Sequence, residues 1–243
     1  MKTAWLGRVV FGASAILFGV IALLWHDANT WQQLTQLWSL PFGSIVGAVL
    51  MVAQIAGGLL LLLPMTARFA STVLVIVYGI FTLASIPSAV TSPFGDGAWD
   101  GIFEQLSLLC GATAVYIATD ADPLRKALLG RLIRYGLALS TVSFTLAQIV
   151  FFQNTVDLVP KWIPPNQTFW AVLTTIAFGL AALAMLVNVR AKLSMRLMGA
   201  MTVAFGVLVW IPHLVAHPGS HFSWSEFTLT WLITGAAWLV AAS

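Results

Sequence analysis

Charged side chains are nearly missing from this sequence. Eleven Lys or Arg and eight Asp or Glu stand among 243 residues, 8% of the chain against about 25% in an ordinary soluble domain. Cysteine is almost absent too. The single Cys110 excludes an internal disulfide and leaves no CxxC pair for dithiol redox chemistry. No phosphate-binding glycine loop, nucleophile elbow or HExxH motif occurs, and these absences remove the common signatures of nucleotide, acyl-transfer and zinc-protease sites. The few basic residues form no patch of the kind nucleic acid requires, so no nucleic-acid partner is expected.

What fills the chain instead is apolar. Hydrophobic residues make up 60% of it. A water-soluble fold of this length cannot bury that much apolar surface, so the expected solvent is a lipid bilayer. A spanning helix needs about 20 apolar residues to cross a hydrocarbon core of roughly 30 Å. Eight runs qualify, at about 7–25, 44–63, 69–90, 102–119, 133–152, 168–187, 193–216 and 226–242. Backbone groups in lipid must bond within their own segment, which makes these runs helices rather than strands. Lys2 followed by Val9–Trp25 resembles a signal peptide, but with further spans behind it this segment reads as an uncleaved first helix.

The basic residues sort by membrane side. Lys2, Arg8, Arg68, Arg125, Lys126, Arg131, Arg134, Arg190, Lys192 and Arg196 fall on one side, and only Lys161 on the other. That bias makes the first side cytoplasmic, with both termini there. Asp27, Asp96, Asp100, Glu104, Asp157 and Glu226 fall outside, Asp120 and Asp122 inside.

The sequence also repeats. At an offset of 124, Trp38 meets Trp162, Pro41 meets Pro165, and Ala67-Arg68 meets Ala191-Lys192. At an offset of 125, Ile86-Pro87 meets Ile211-Pro212, Val90 meets Val215, Pro93 meets Pro218 and Trp99 meets Trp224. The expected fold is therefore all-α, with eight transmembrane helices as two parallel four-helix repeats, residues 1–119 and 133–243, joined by a cytoplasmic connector at 120–132. An even number of spans per unit makes the repeat parallel, about an axis along the membrane normal.

Candidate chemistry concentrates on the outer side. His213 and His217 are four apart on one helix face, a spacing that serves metal or haem; the alternative is a pair of interfacial polar residues. His26 and His221 are outer as well. Trp25, Trp31, Trp38, Trp99, Trp162, Trp210 and Trp224 read either as an aromatic belt or as a pocket for a planar ligand such as a quinone. Pro87 and Pro212 kink or end the third and seventh helices. Gln54 and Gln148, deep in apolar runs, need polar partners on other helices, as interhelical bonds or as ligand contacts. No ionisable group lies mid-span, which argues against proton-coupled transport. Any ligand site is expected at the outer face, in or near the cleft between the units.

Leu158-Val159-Pro160-Lys161-Trp162-Ile163-Pro164, Trp170, Ile211-Pro212 and Leu214-Val215-Ala216-His217-Pro218 before Trp224 together resemble the DoxX family of small bacterial membrane proteins. Leu37-Trp38, Pro41, Gly57-Gly58 and Ala67-Arg68 carry a looser likeness in the first half. The resemblance implies a duplicated four-helix unit in the bacterial cytoplasmic (inner) membrane. Family members include components of respiratory redox complexes, one of them quinone-reducing. The implied role is a non-catalytic accessory or subunit of a quinone-linked redox system, partnered by redox-complex subunits or by its own copies. Passage of a small solute is the alternative. The family's polar pair before the VPxWIP loop is replaced here by Gln148-Ile149, so no catalytic residue is transferred. No cofactor is expected as intrinsic, although quinone or haem is compatible with the pattern.

Overall fold

The computed structural model describes residues 2–25, 41–91 and 98–243. His26, Asp27, Trp31, Trp38, Pro93 and Asp96 lie outside the described residues, and with them two of the repeat matches. Among the described residues the chain is helical without a strand, and seven helices are long and apolar enough to cross a membrane, as a multi-pass membrane protein requires.

The long helices are α1 (Lys2–Trp25), α2 (Gly43–Leu62), α3 (Ala67–Thr91), α4 (Ala98–Ala118) and α5 (Pro123–Val150). After the short α6 (Phe152–Leu158) come α7 (Gln167–Leu186) and α8 (Ala191–Phe205). A π-helical turn, Gly206–Trp210, carries α8 into α9 (Ile211–Ala216), and α10 (His221–Ala242) completes the chain. Local chemistry sets several starts. The Asp122 carboxylate accepts from the Leu124 and Arg125 amides at 2.9 and 3.3 Å with Pro123 in the first turn. Asn166 caps α7 through the Phe169 amide at 2.8 Å, and Ser220 caps α10 through the Ser223 amide at 3.3 Å. The cap at Asp122 begins α5 ten residues before the expected span, so most of the 120–132 connector is helical.

The eighth expected span, 226–242, is helical within α10, but α10 is not among the seven apolar helices. Its polar residues explain the difference. Ser223, Ser225, Thr228 and Thr234 are all buried, because α10 packs against α1, α4 and α8 instead of facing lipid. Two glycines permit that closeness. A Cβ on Gly111 would stand 2.6 Å from the Cβ of Ala236, and one on Gly235 would stand 2.7 Å from the backbone nitrogen of Phe11. Each consecutive pair of long helices packs together, α1 closes against α10, and α4 meets α10 at the centre.

The π turn has a sequence cause. Pro212 has no N–H, and its ring conflicts with the carbonyl four residues back, at Leu208. Widening the helix over Gly206–Trp210 relieves the conflict. Pro87 lies inside α3 without such a turn.

Candidate functional site

A cavity of about 570 Å³ opens among α4, α5, α7, α8 with its π turn, and α10. Its walls are apolar and aromatic, including Phe144, Phe178, Phe205, Trp170 and Trp210. Three carboxyl groups line it: Asp100 and Glu104 from α4, and Glu226 from α10. No Lys or Arg joins them among the lining residues.

The α-helical spacing explains this gathering. Asp100 and Glu104 are one turn apart and share a face of α4. The first turns of α10 bring Glu226 to the same end of the molecule. Asp100 is further held by Ser143 of α5, whose hydroxyl donates to it at 3.0 Å. Five residues along α5 from Ser143, Gln148 Oε1 accepts from the Thr175 hydroxyl of α7 at 2.9 Å. The Thr202 and Thr234 hydroxyls share a bond of 2.7 Å, tying α8 to α10 at the cavity wall. Leu158, Val159, Pro160 and Ile163 cover one end. That cover is fixed by two side chains of α7. Gln167 donates its amide to the Val159 carbonyl at 2.6 Å, and the Trp170 indole N–H donates to the Pro164 carbonyl at 2.8 Å.

An apolar site with a few converging polar groups is the arrangement that binds small molecules. Carboxyls inside an apolar site have a further consequence. Their charge must be neutralised, by protons or by a cationic group, because an unpaired carboxylate in low dielectric costs several kcal/mol or more.

The expected site residues divide around this cavity. Gln148 lines it. Gln54 is remote and fully buried, donating to the Ala15 carbonyl at 3.1 Å, and so joins α2 to α1. Trp162 is 70% exposed and does not line the cavity, although its neighbour Ile163 does. Pro87 is exposed on α3, whereas Pro212 acts on the cavity indirectly, through the π turn that presents Leu208, Val209 and Trp210 to it. His213 and His217 stand with ring centroids 6.1 Å apart, and neither lines the cavity. His221 stacks instead on Trp25, at 5.5 Å. Among the described residues no group of three His, Cys, Asp or Glu side chains is placed to hold a metal ion.

Sequence reasoning missed the carboxyl trio. Asp100, Glu104 and Glu226 had been accounted for as outer-side charges. The available signal was the i, i+4 pair of acids opening an apolar helix, since such residues are costly in a membrane and mark pathways or sites. Leu158, Val159, Pro160 and Ile163 line the cavity, and α4 adds Asp100 and Glu104 to a lining otherwise drawn from residues 144–233. No family model, curated protein or solved structure matches this chain.

Proposed function

We propose that this chain is a DoxX-like membrane protein of two parallel four-helix units, and that its cavity binds the head group of a small membrane-soluble molecule, a quinone being the ligand class that fits best. The observation that carries the reading is the union of three carboxyls with aromatic walls in one cavity. A quinone presents a flat ring to such walls and exchanges protons whenever it exchanges electrons, and carboxyls can give or take those protons. The physiological role is an accessory to a quinone-linked redox partner in the bacterial cytoplasmic membrane. Binding is tested with a short-chain quinone titrated into the purified chain while tryptophan fluorescence is followed. Trp170 and Trp210 line the cavity, so saturable quenching is expected. Quenching that rises linearly without saturation would reject the site.

The eight-span, two-unit architecture is supported by paired contacts. Arg68 donates to the Thr119 carbonyl at 3.0 Å, and Lys192 donates to the Ser243 carbonyl at 2.7 Å; both partners are related by 124 positions. The close approach of Gly235 to Phe11 is matched by that of Gly136 to Cys110, related by 125. Gly111 and Ala236, also 125 apart, meet each other, as residues on a twofold axis do. On this reading α10 is the eighth span. Its 22 residues reach roughly 33 Å, enough to cross. With both termini cytoplasmic, a phosphatase fusion after Ser243 is expected to be inactive and a fluorescent protein there bright. The opposite pattern would invert the topology.

Passage of a small solute is a second reading. One observation favours it: carboxyls do occur within the helices, at Asp100, Glu104 and Glu226, which weakens the earlier argument against ion-coupled movement.

A further inference from the structure

The face that gathers the helix ends near Lys126 and Lys192 carries a second concavity, unrelated to the carboxyl cavity. It is a groove of about 650 Å³ between α5, α8 and the end of α10, lined by Lys126, Arg131, Arg134 and Lys192. No acidic side chain lines it. Among the described residues the ion pairs are those Arg125 makes with Asp120 and Asp122; Lys126, Arg131 and Arg134 of the groove take part in none, while Lys192 is held by the Ser243 carbonyl at 2.7 Å. The Nε of Arg134 is shielded from solvent and has no hydrogen-bond acceptor, while its guanidinium lies 4.7 Å from the centre of the Tyr135 ring. Topology alone requires cations somewhere on this face. It does not require four of them around one groove, with a donor left unsatisfied.

Gly130 lines the groove without a side chain. A Cβ there would meet nothing within 4 Å. Four cations around one groove, at the ends of helices that continue as apolar spans, match the phosphate head group of an anionic phospholipid whose acyl chains extend alongside those spans. We propose that this groove is a specific site for an anionic phospholipid, of the phosphatidylglycerol or cardiolipin type. Basic pockets between helices recognise such head groups, each Lys or Arg near the surface strengthening the attraction.

Native mass spectrometry of the delipidated full chain in mild detergent tests this, using phosphatidylglycerol, phosphatidylcholine of the same chains, and inorganic phosphate as probes. Phosphatidylglycerol is expected to bind at one per chain and at least tenfold more tightly than phosphatidylcholine. The double variant Arg131→Gln, Arg134→Gln is expected to weaken phosphatidylglycerol by about ten- to thirty-fold. Gly130→Leu keeps every cation, puts a side chain into the groove and favours the helix, and it is expected to lose the lipid as well. Millimolar phosphate should not displace the lipid. Equal binding of the two lipids, or retention by both variants, would overturn the proposal. Displacement by phosphate alone would do so too, since it makes the groove an ion site without lipid specificity.

Discussion

Replacing Glu104 and Glu226 together by glutamine is expected to weaken quinone binding at least tenfold while leaving the protein as stable as before or more so. The two effects have separate causes. Hydrogen bonds to charged groups contribute about 1.5–3 kcal/mol each, and 1.4 kcal/mol is already tenfold in affinity. Stability moves the other way because each carboxyl must be neutralised to sit in an apolar cavity with no lining cation, a cost that a neutral amide does not carry. Replacing two of the three acids removes that cost. A gain of about 1 kcal/mol would raise the thermal midpoint by roughly 2–4 °C in a protein of this size. Fluorescence titration and a thermal melt of the same preparation report both. A variant that binds as the wild type does, or one that melts well below it, contradicts the role given to these residues. Ala177→Phe provides the complementary change: it fills the cavity, keeps every carboxyl, and is expected to block binding equally.

The second large effect belongs to the centre of the fold. Gly111→Leu and Gly235→Leu are each expected to destabilise the chain by about 1–3 kcal/mol or more, the cost of overpacking a tight contact. The obstacle at Gly235 is the backbone of Phe11 at 2.7 Å, which cannot turn aside as a side chain can. At Gly111 it is Ala236, on the helix that meets α4 at the centre. Helices α1, α4 and α10 would have to separate. Gly79→Ala is the control, because an added Cβ there meets nothing within 4 Å and alanine favours the helix by up to about 1 kcal/mol. Melting in detergent should rank Gly79→Ala at or above the wild type and both leucine variants several degrees below it. Leucine variants that melt with the wild type would mean the central helices are not in contact.

The helices were legible because the bilayer imposes one rule on sequence. Long apolar runs must close their own hydrogen bonds, so α1, α2, α3, α7 and the α8–α9 rod fall close to where hydropathy places them. The start of α5 was misplaced because Arg125, Lys126, Arg131 and Arg134 resemble a loop in hydropathy, yet long basic side chains reach water from a helix. The short α6 has no hydropathy signal at all.

The site was legible only in part. Gln148 announced itself as a polar group in an apolar run, and the VPKWIP loop as a conspicuous cap. The acids did not, because Asp100 and Glu104 open one helix and Glu226 another, separated by more than a hundred residues. Only tertiary packing makes them neighbours. Pro212 was visible as a kink, but no local feature states that its relief takes the form of a π turn or that the turn aims Leu208 and Trp210 into a cavity. The four cations of the groove were likewise read singly, as topological markers, before their arrangement around Gly130 was known.

The most direct test of the account is covalent mapping of the cavity. A quinone bearing an aryl azide, photolysed with the purified full chain and followed by peptide mass spectrometry, should label α7 around Trp170–Phe178 and the π turn around Leu208–Trp210. Excess unmodified quinone should suppress that labelling. Labelling confined to other helices, or labelling of these segments that unmodified quinone does not reduce, would contradict the claim that this cavity is the binding site.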